Sequence, residues 1–142
     1  MNTSIVIKLN EIKLDEYLEI RQAVNWKKLT EKQAAKALEN SLFTVGAYDN
    51  GKLIGMGRIV GDGAVICYVQ DLIVLPEYQN RGIGSLILNK LTGFVTELGE
   101  SGTEIMFCLM CAKGREHFYE KHGFIARPTE SLGPGMIQYM HY

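Results

Sequence analysis

Apolar and polar positions alternate, cluster and recur along this chain in a way that orders its elements. Residues 4–9 place Ile5, Ile7 and Leu9 on one face of a short strand. Leu14, Leu18 and the run from Ile20 to Val24 predict a first helix ending near Asn25 and Trp26. Thr30 followed three residues later by Gln33 reads as a capping box opening a second helix, which stops near Asn40. Residues 42–48 and 52–60 are rich in strand formers and flank Asp49-Asn50-Gly51, a tight-turn signal. After Gly61-Asp62-Gly63, residues 64–75 form the third strand of an antiparallel meander. Ile83, Leu86, Ile87, Leu91, Phe94, Val95 and Leu98 then recur at intervals of three and four, the stripe of a helix packed on a sheet. A strand over 104–111, a helix over 113–122 closed by Gly123, and short strands over 124–127 and 136–142 complete the prediction. The strand over 104–111 follows a helical crossover, so it is expected to run parallel to the strand ending at Leu75.

The strand–turn–helix passage over 68–98 carries the first chemical inference. Its turn reads Gln79-Asn80-Arg81-Gly82-Ile83-Gly84. A helix start presents unpaired N–H groups at its positive end, where an anion is favoured, and glycines let a ligand approach the backbone. A phosphate or pyrophosphate site follows. No Gly-Lys-Ser/Thr triplet makes it a P-loop, and Ile87 stands where a dinucleotide fingerprint needs a third glycine.

Composition narrows the classes. At 142 residues the chain fits one domain, 1–142, with a real core. No stretch approaches the roughly 18 apolar residues of a membrane span. Residues 1–4 carry no sign of a signal peptide. A net charge of -1 with scattered basic residues argues against nucleic acid as a partner. Three cysteines, all in apolar runs, fit a reduced, cytoplasmic protein. Cys108 and Cys111 would face opposite sides of a strand, so core packing is expected of them rather than metal or redox work.

Two motifs together carry a resemblance. Gln79-x-x-Gly82-x-Gly84, after a strand ending Asp71-Leu72-Ile73-Val74-Leu75-Pro76, resembles the coenzyme A signature of the GNAT acyltransferase superfamily. Phe118-Tyr119-Glu120-Lys121-His122-Gly123-Phe124 is similar to that family's second hallmark, at the usual separation. The Gln70-Asp71 pair and Gly133-Pro134-Gly135-Met136 look like a small-amine or aralkylamine N-acetyltransferase subgroup.

The resemblance implies an α+β fold with a mixed, mostly antiparallel sheet splayed in a V and flanked by helices. It implies acetyl-CoA as donor, with no metal. The pantetheine arm would pair with the backbone of Leu72, Ile73 and Val74, and the pyrophosphate would lie on Asn80, Arg81, Gly82, Ile83, Gly84 and Ser85, with Gln79 and Phe118 also contributing. Ala112 departs from the family, many members of which carry a cofactor-contacting asparagine there. The implied reaction is acetyl transfer to a primary amine of a small molecule by direct attack in a ternary complex. A protein amino group as acceptor, or a CoA-binding sensor without turnover, are the alternatives. A homodimer is also implied.

That chemistry needs a neutral amine, an oxyanion donor and a proton for the leaving thiolate. An amine of pKa near 10.4 is neutral in roughly one molecule in 2,500 at pH 7. Tyr119 is the candidate acid, since a phenol and a thiol titrate within a few units of each other. Asp71 is a base, an anchor for the acceptor ammonium, or a structural group. Alternation places it with Val69 and Ile73, and Gln70 with Tyr68 and Leu72, unless a bulge shifts the phase. Glu104 and His117 are weaker base candidates. Arg58, odd in an apolar strand, could pair with Asp71 or Glu104 or face solvent. Trp26 is a core residue or a wall of the acceptor pocket, where Tyr68, Gln70 and Met136 would also contribute. Gly55-Met56-Gly57 would relieve crowding or mark a bulge.

Overall fold

The computed structural model describes residues 4–142. Strands β1 (Ile5–Leu9), β2 (Phe43–Asp49), β3 (Lys52–Gly61), β4 (Ile66–Val74) and β5 (Met106–Leu109) form one sheet in that order. The first four make an antiparallel meander. Helix α1 (Leu14–Ala23) and helix α2 (Glu31–Glu39) separate β1 from β2, and α3 (Ile83–Leu98) is the crossover between β4 and β5. The fold is mixed α+β with a mostly antiparallel sheet, as expected. No helix among the described residues is long and apolar enough to cross a membrane.

Local signals explain most boundaries. Thr30 Oγ1 accepts from the Gln33 N–H at 3.0 Å and caps α2. Asn50 and Gly51 take φ of 49° and 81°, the left-handed pair that a two-residue hairpin between β2 and β3 requires. In α3 the buried stripe is Ile83, Ile87, Leu88, Leu91 and Val95, and Phe94 stacks on Phe43 with ring centroids 4.3 Å apart.

Gly55 and Gly57 let that helix sit directly on β3. A Cβ at Gly57 would lie 2.7 Å from Ile87 Cγ2 and 2.8 Å from Leu91 Cδ1. Relief of crowding is therefore a role of Gly55-Met56-Gly57, and a bulge adjoins it as well: Ala47 lies opposite Gly55 but Tyr48 opposite Leu53, leaving Ile54 as the extra residue. Since Gly57 faces α3, its neighbours Met56 and Arg58 face the opposite side, toward α1 and α2.

The register of β4 against β3 slips by one residue. Arg58 lies opposite Asp71, but Ile59 lies opposite Val69, leaving Gln70 as the extra, bulged residue. Directly opposed residues share a face. Val69, paired with Ile59, therefore belongs to the α3 side, while Asp71, paired with Arg58, points toward α1 and α2. Tyr68, opposite Val60, and Leu72, opposite Gly57, fall on different faces as well. Simple alternation put Asp71 with Val69 and Tyr68 with Leu72; the bulge separates both pairs.

The chain divides into two compact units, one ending at Phe107 and one from Cys108 to Tyr142. The second contains α4 (Glu116–Lys121), and no strand follows β5 among the described residues. Residues 124–127 and 136–142 were expected as strands and are irregular instead. Met136 is 87% exposed, and Ile137, Tyr139 and Met140 are exposed with it. Their β propensity goes unused because a strand needs a partner, and within this unit none pairs with them. Cys111, expected to pack in a core, lies beyond the end of β5 and is exposed.

Candidate active site

The turn after β4 is built by the chain's own polar groups. A short 3-10 turn at Pro76–Tyr78 follows Leu75. Gln79 Nε2 donates to the Val74 carbonyl at 2.9 Å, and the Gln79 N–H donates to the Pro76 carbonyl. Gln79 thus braces the turn, tying it back to the strand it leaves. Tyr78 donates its hydroxyl to Asp49 Oδ2 at 2.5 Å, anchoring the turn to the end of β2. That bond, with a second from Ser4, holds the Asp49 carboxyl below its usual range. The Arg81 guanidinium lies over the Tyr78 ring.

Two residues then take left-handed backbone: Asn80 at φ 62° and Gly82 at φ 80°. Gly82 is the N-cap of α3, and the first helical bond is from the Leu86 N–H to the Gly82 carbonyl at 3.0 Å. The N–H groups of Ile83, Gly84 and Ser85 therefore precede the helical ladder and point out of its positive end. No heavy atom lies within 4 Å of the place a Gly82 Cβ would take. An open, donor-rich helix start with a left-handed glycine fits the phosphates of an acyl-CoA donor.

On the other face of β4, Asp71 lies at the centre of a buried network. Its exposure is 1%. Arg58 Nε donates to Oδ2 at 2.6 Å, and the Tyr17 hydroxyl donates to the same oxygen at 2.8 Å. Arg21 Nη1 approaches Oδ1 at 3.4 Å. Arg58 Nη1 continues to the Ala37 carbonyl and Ser41 Oγ. One carboxylate so joins α1, β3 and the bulged strand, and through Arg58 the end of α2. Burial, then the neighbouring Asp71 charge, pushes the Tyr17 phenol above its ordinary value. Of the two partners considered for Arg58, and solvent besides, the structure selects Asp71. The burial of Asp71 leaves an incoming amine no exposed carboxylate oxygen to meet.

Tyr17 and Arg21 are the members that sequence reasoning missed. Their spacing of four on α1 placed them on one face, and the buried acid on β4 was the signal that partners had to exist. Trp26, 38% exposed, lies beside this network with the Arg21 guanidinium carbon 5.3 Å from its ring centroid. Gln70 is exposed on the bulge and Tyr68 is half-buried. Glu104 and His117 are exposed.

In the second unit Tyr119 packs edge-on against Phe118 and Phe124, with centroids 5.1 and 5.9 Å away. Burial pushes its phenol up to about 12, with the charge of the Cys111 thiolate form adding to the rise. Its hydroxyl is therefore protonated at neutral pH. Among the described residues no group of three or more His, Cys, Asp or Glu side chains could hold a metal ion.

Comparison with known proteins agrees with this architecture. The family described as "Acetyltransferase (GNAT) domain" matches residues 39–126. A protein of unknown function from meticillin-resistant Staphylococcus aureus, described as a probable acetyltransferase, is 31% identical, with a TM-score of 0.83 over 97% of this chain and 99% of that one. A GNAT-family acetyltransferase from Streptococcus pneumoniae is 33% identical, with a TM-score of 0.81 over the same shares, 97% and 99%. An uncharacterized N-acetyltransferase of Prochlorococcus marinus is 27% identical over 130 residues, 89% of this chain and 70% of that protein. With the strand, turn and helix start that hold the first motif and the tyrosine-bearing helix that holds the second, the chain belongs to the GNAT family of N-acetyltransferases.

Proposed function

We propose that this acyltransferase takes an acetyl group from acetyl-CoA and passes it to a primary amine of a small molecule, by direct attack in a ternary complex in the cytoplasm. The observation that carries the donor half is the left-handed Gly82 opening α3, with the N–H groups of Ile83, Gly84 and Ser85 ahead of the helical ladder. Asn80, Gly82, Ile83, Gly84 and Ser85 would hold the phosphates, and the backbone of Leu72, Ile73 and Val74 the pantetheine arm. When bound, acetyl-CoA supplies a thioester carbon that takes the amine's electron pair and a thiolate that leaves.

The chain's own groups serve the remaining needs. N–H groups of Leu72 to Val74 stabilise the developing oxyanion, a contribution of about 100- to 1,000-fold in comparable sites. Tyr119 gives its hydroxyl proton to the departing sulfur, and its raised phenol keeps that proton in place until it is needed. Asp71 acts as a positioning residue, since its network pins the strand one residue before Leu72, next to the bulge at Gln70. The amine loses one proton to solvent water, and not to a buried carboxylate, before it attacks; the second, shed by its nitrogen as the amide forms, restores the Tyr119 hydroxyl by way of solvent. Trp26, Tyr68, Gln70 and Met136 are the residues proposed for the acceptor side.

A homodimer belongs to the same reading, supported by the exposed Met136, Ile137, Tyr139 and Met140. Free-thiol release from acetyl-CoA with a panel of small amines and with lysine-bearing proteins tests the function. Saturable release with small amines is expected. Release with proteins alone would transfer the acceptor role to protein amino groups.

A further inference from the structure

Helix α1 hands its last turn to the connection that follows it. Val24 is the C-cap, and Asn25 takes left-handed backbone at φ 59°. The Asn25 N–H donates to the Gln22 carbonyl and the Trp26 N–H to the Arg21 carbonyl, both at 3.0 Å. These are the two bonds of a Schellman motif, which brings the residue two past the cap onto the residue three before it. An apolar contact commonly fills that place. Here the pair is Trp26 and Arg21, with the guanidinium carbon 5.3 Å from the ring centroid.

The same side chain reaches on to the sheet. Arg21 Nη2 donates to the Lys27 carbonyl at 2.9 Å, and Nη1 lies 3.4 Å from Asp71 Oδ1. A planar fork spans two such partners at once, which the compact ammonium of a lysine does not. One end of this bridge is main chain in the connection between α1 and α2. The other is a carboxylate buried to 1% exposure and held in place by Arg58 and Tyr17. Trp26, Lys27 and Lys28 are exposed, so burial does little to order them. An exposed connection keeps its backbone freedom unless a bond removes it. Arg21 supplies that bond from a buried anchor.

We propose that Arg21 is a positioning residue of the acetyl-transfer reaction. It ties the connection over 24–30 to Asp71 on β4, and so sets Trp26 at a fixed place relative to the strand that takes the thioester. Arg21 touches neither substrate; it acts through Trp26 on one side and Asp71 on the other. The inference rests on the acceptor-side placement of Trp26 proposed above and adds the residue that holds it there.

Trp26 is the one tryptophan of the chain, so tryptophan fluorescence reads this connection alone. In the wild-type protein its anisotropy decay is expected to follow the tumbling of the whole molecule. A dominant fast component overturns the inference, and this arm needs no variant to fold. Arg21→Lys keeps the positive charge beside Asp71 and gives up the second arm of the fork. Its melting temperature is expected near that of the wild type, with readier quenching of Trp26 by acrylamide. KM for the acceptor amine should rise about tenfold, the worth of one charge-assisted hydrogen bond, with kcat and KM for acetyl-CoA held. Unchanged quenching overturns the tie. An unmoved acceptor KM, or equal rises for both substrates, overturns the positioning role.

A wild-type protein that binds acetyl-CoA and acetylates no amine would instead defeat the acetyl-transfer reading. The tie is then judged by anisotropy and quenching alone, with the same results for and against it.

Discussion

Gly82, Tyr119 and Asp71 each make a different kind of claim, and each is separable by substitution. Gly82 holds φ 80° at the mouth of α3, a conformation that costs a β-branched residue heavily. Gly82→Val should cut acetyl-CoA affinity at least about tenfold while far-UV circular dichroism stays unchanged; undiminished binding by calorimetry would reject the phosphate assignment. For Tyr119→Phe a fall of about 100-fold or more in kcat is expected from loss of a general acid, with acetyl-CoA affinity held. Wild-type turnover would return Tyr119 to a packing role. Asp71→Asn leaves two buried guanidiniums facing a neutral amide, and breaking such a pair costs about 3–5 kcal/mol. A lowered melting temperature with an unaltered pH–rate slope is the expected pair of results. A lost ionisation in that profile would restore Asp71 as the base.

At the level of elements, the packing of α3 on β3 and the bulge of β4 decide where the site forms. Gly55 and Gly57 bring the helix so close that a methyl group at Gly57 would lie 2.7 Å from Ile87 Cγ2 and force α3 side chains to shift. Gly57→Ala should therefore destabilise by about 1–3 kcal/mol through overpacking, read as a lower urea midpoint at constant m-value. The bulge at Gln70 matters differently: it turns Asp71 away from Val69 and toward α1 and α2. Without that extra residue the acid would share the α3 side with Val69, out of reach of Arg58 and Tyr17. The Tyr78–Asp49 bond and the Gln79–Val74 bond then fix the turn's approach to α3.

For the protein as a whole, the pH dependence combines these assignments. With no exposed carboxylate acting as base, kcat/KM should climb tenfold per pH unit from about pH 6 to about pH 9, following the neutral fraction of an amine of ordinary pKa. An acid catalyst works while protonated, below its pKa. Because burial raises Tyr119 to about 12, no descending limb from this group is expected in that range. A plateau beginning near neutrality would point to an enzyme base that the assignments above omit. The same raised value makes the phenol a reluctant donor, so its contribution depends on the thiolate being close and poorly solvated.

Local chemistry made much of this protein legible from its amino acids. The stripe from Ile83 to Leu98, the Thr30 cap, the Asn50-Gly51 turn and the glycine-bearing start of α3 are consequences of periodicity and backbone preference, which act over a few residues. They were enough to place the meander, the crossover and the donor turn. Three matters needed the fold. A bulge depends on two strands, so no reading of β4 alone could assign the face of Asp71. The partners of that acid lie 13, 50 and 54 residues away, and only packing brings Arg58, Arg21 and Tyr17 to one carboxylate. Strand propensity in residues 136–142 could not become a strand by itself, because a strand is defined by its neighbour. Residue chemistry alone marked which side chains were unusual; tertiary structure decided which of them meet, bringing Arg58, Arg21 and Tyr17 to one buried carboxylate.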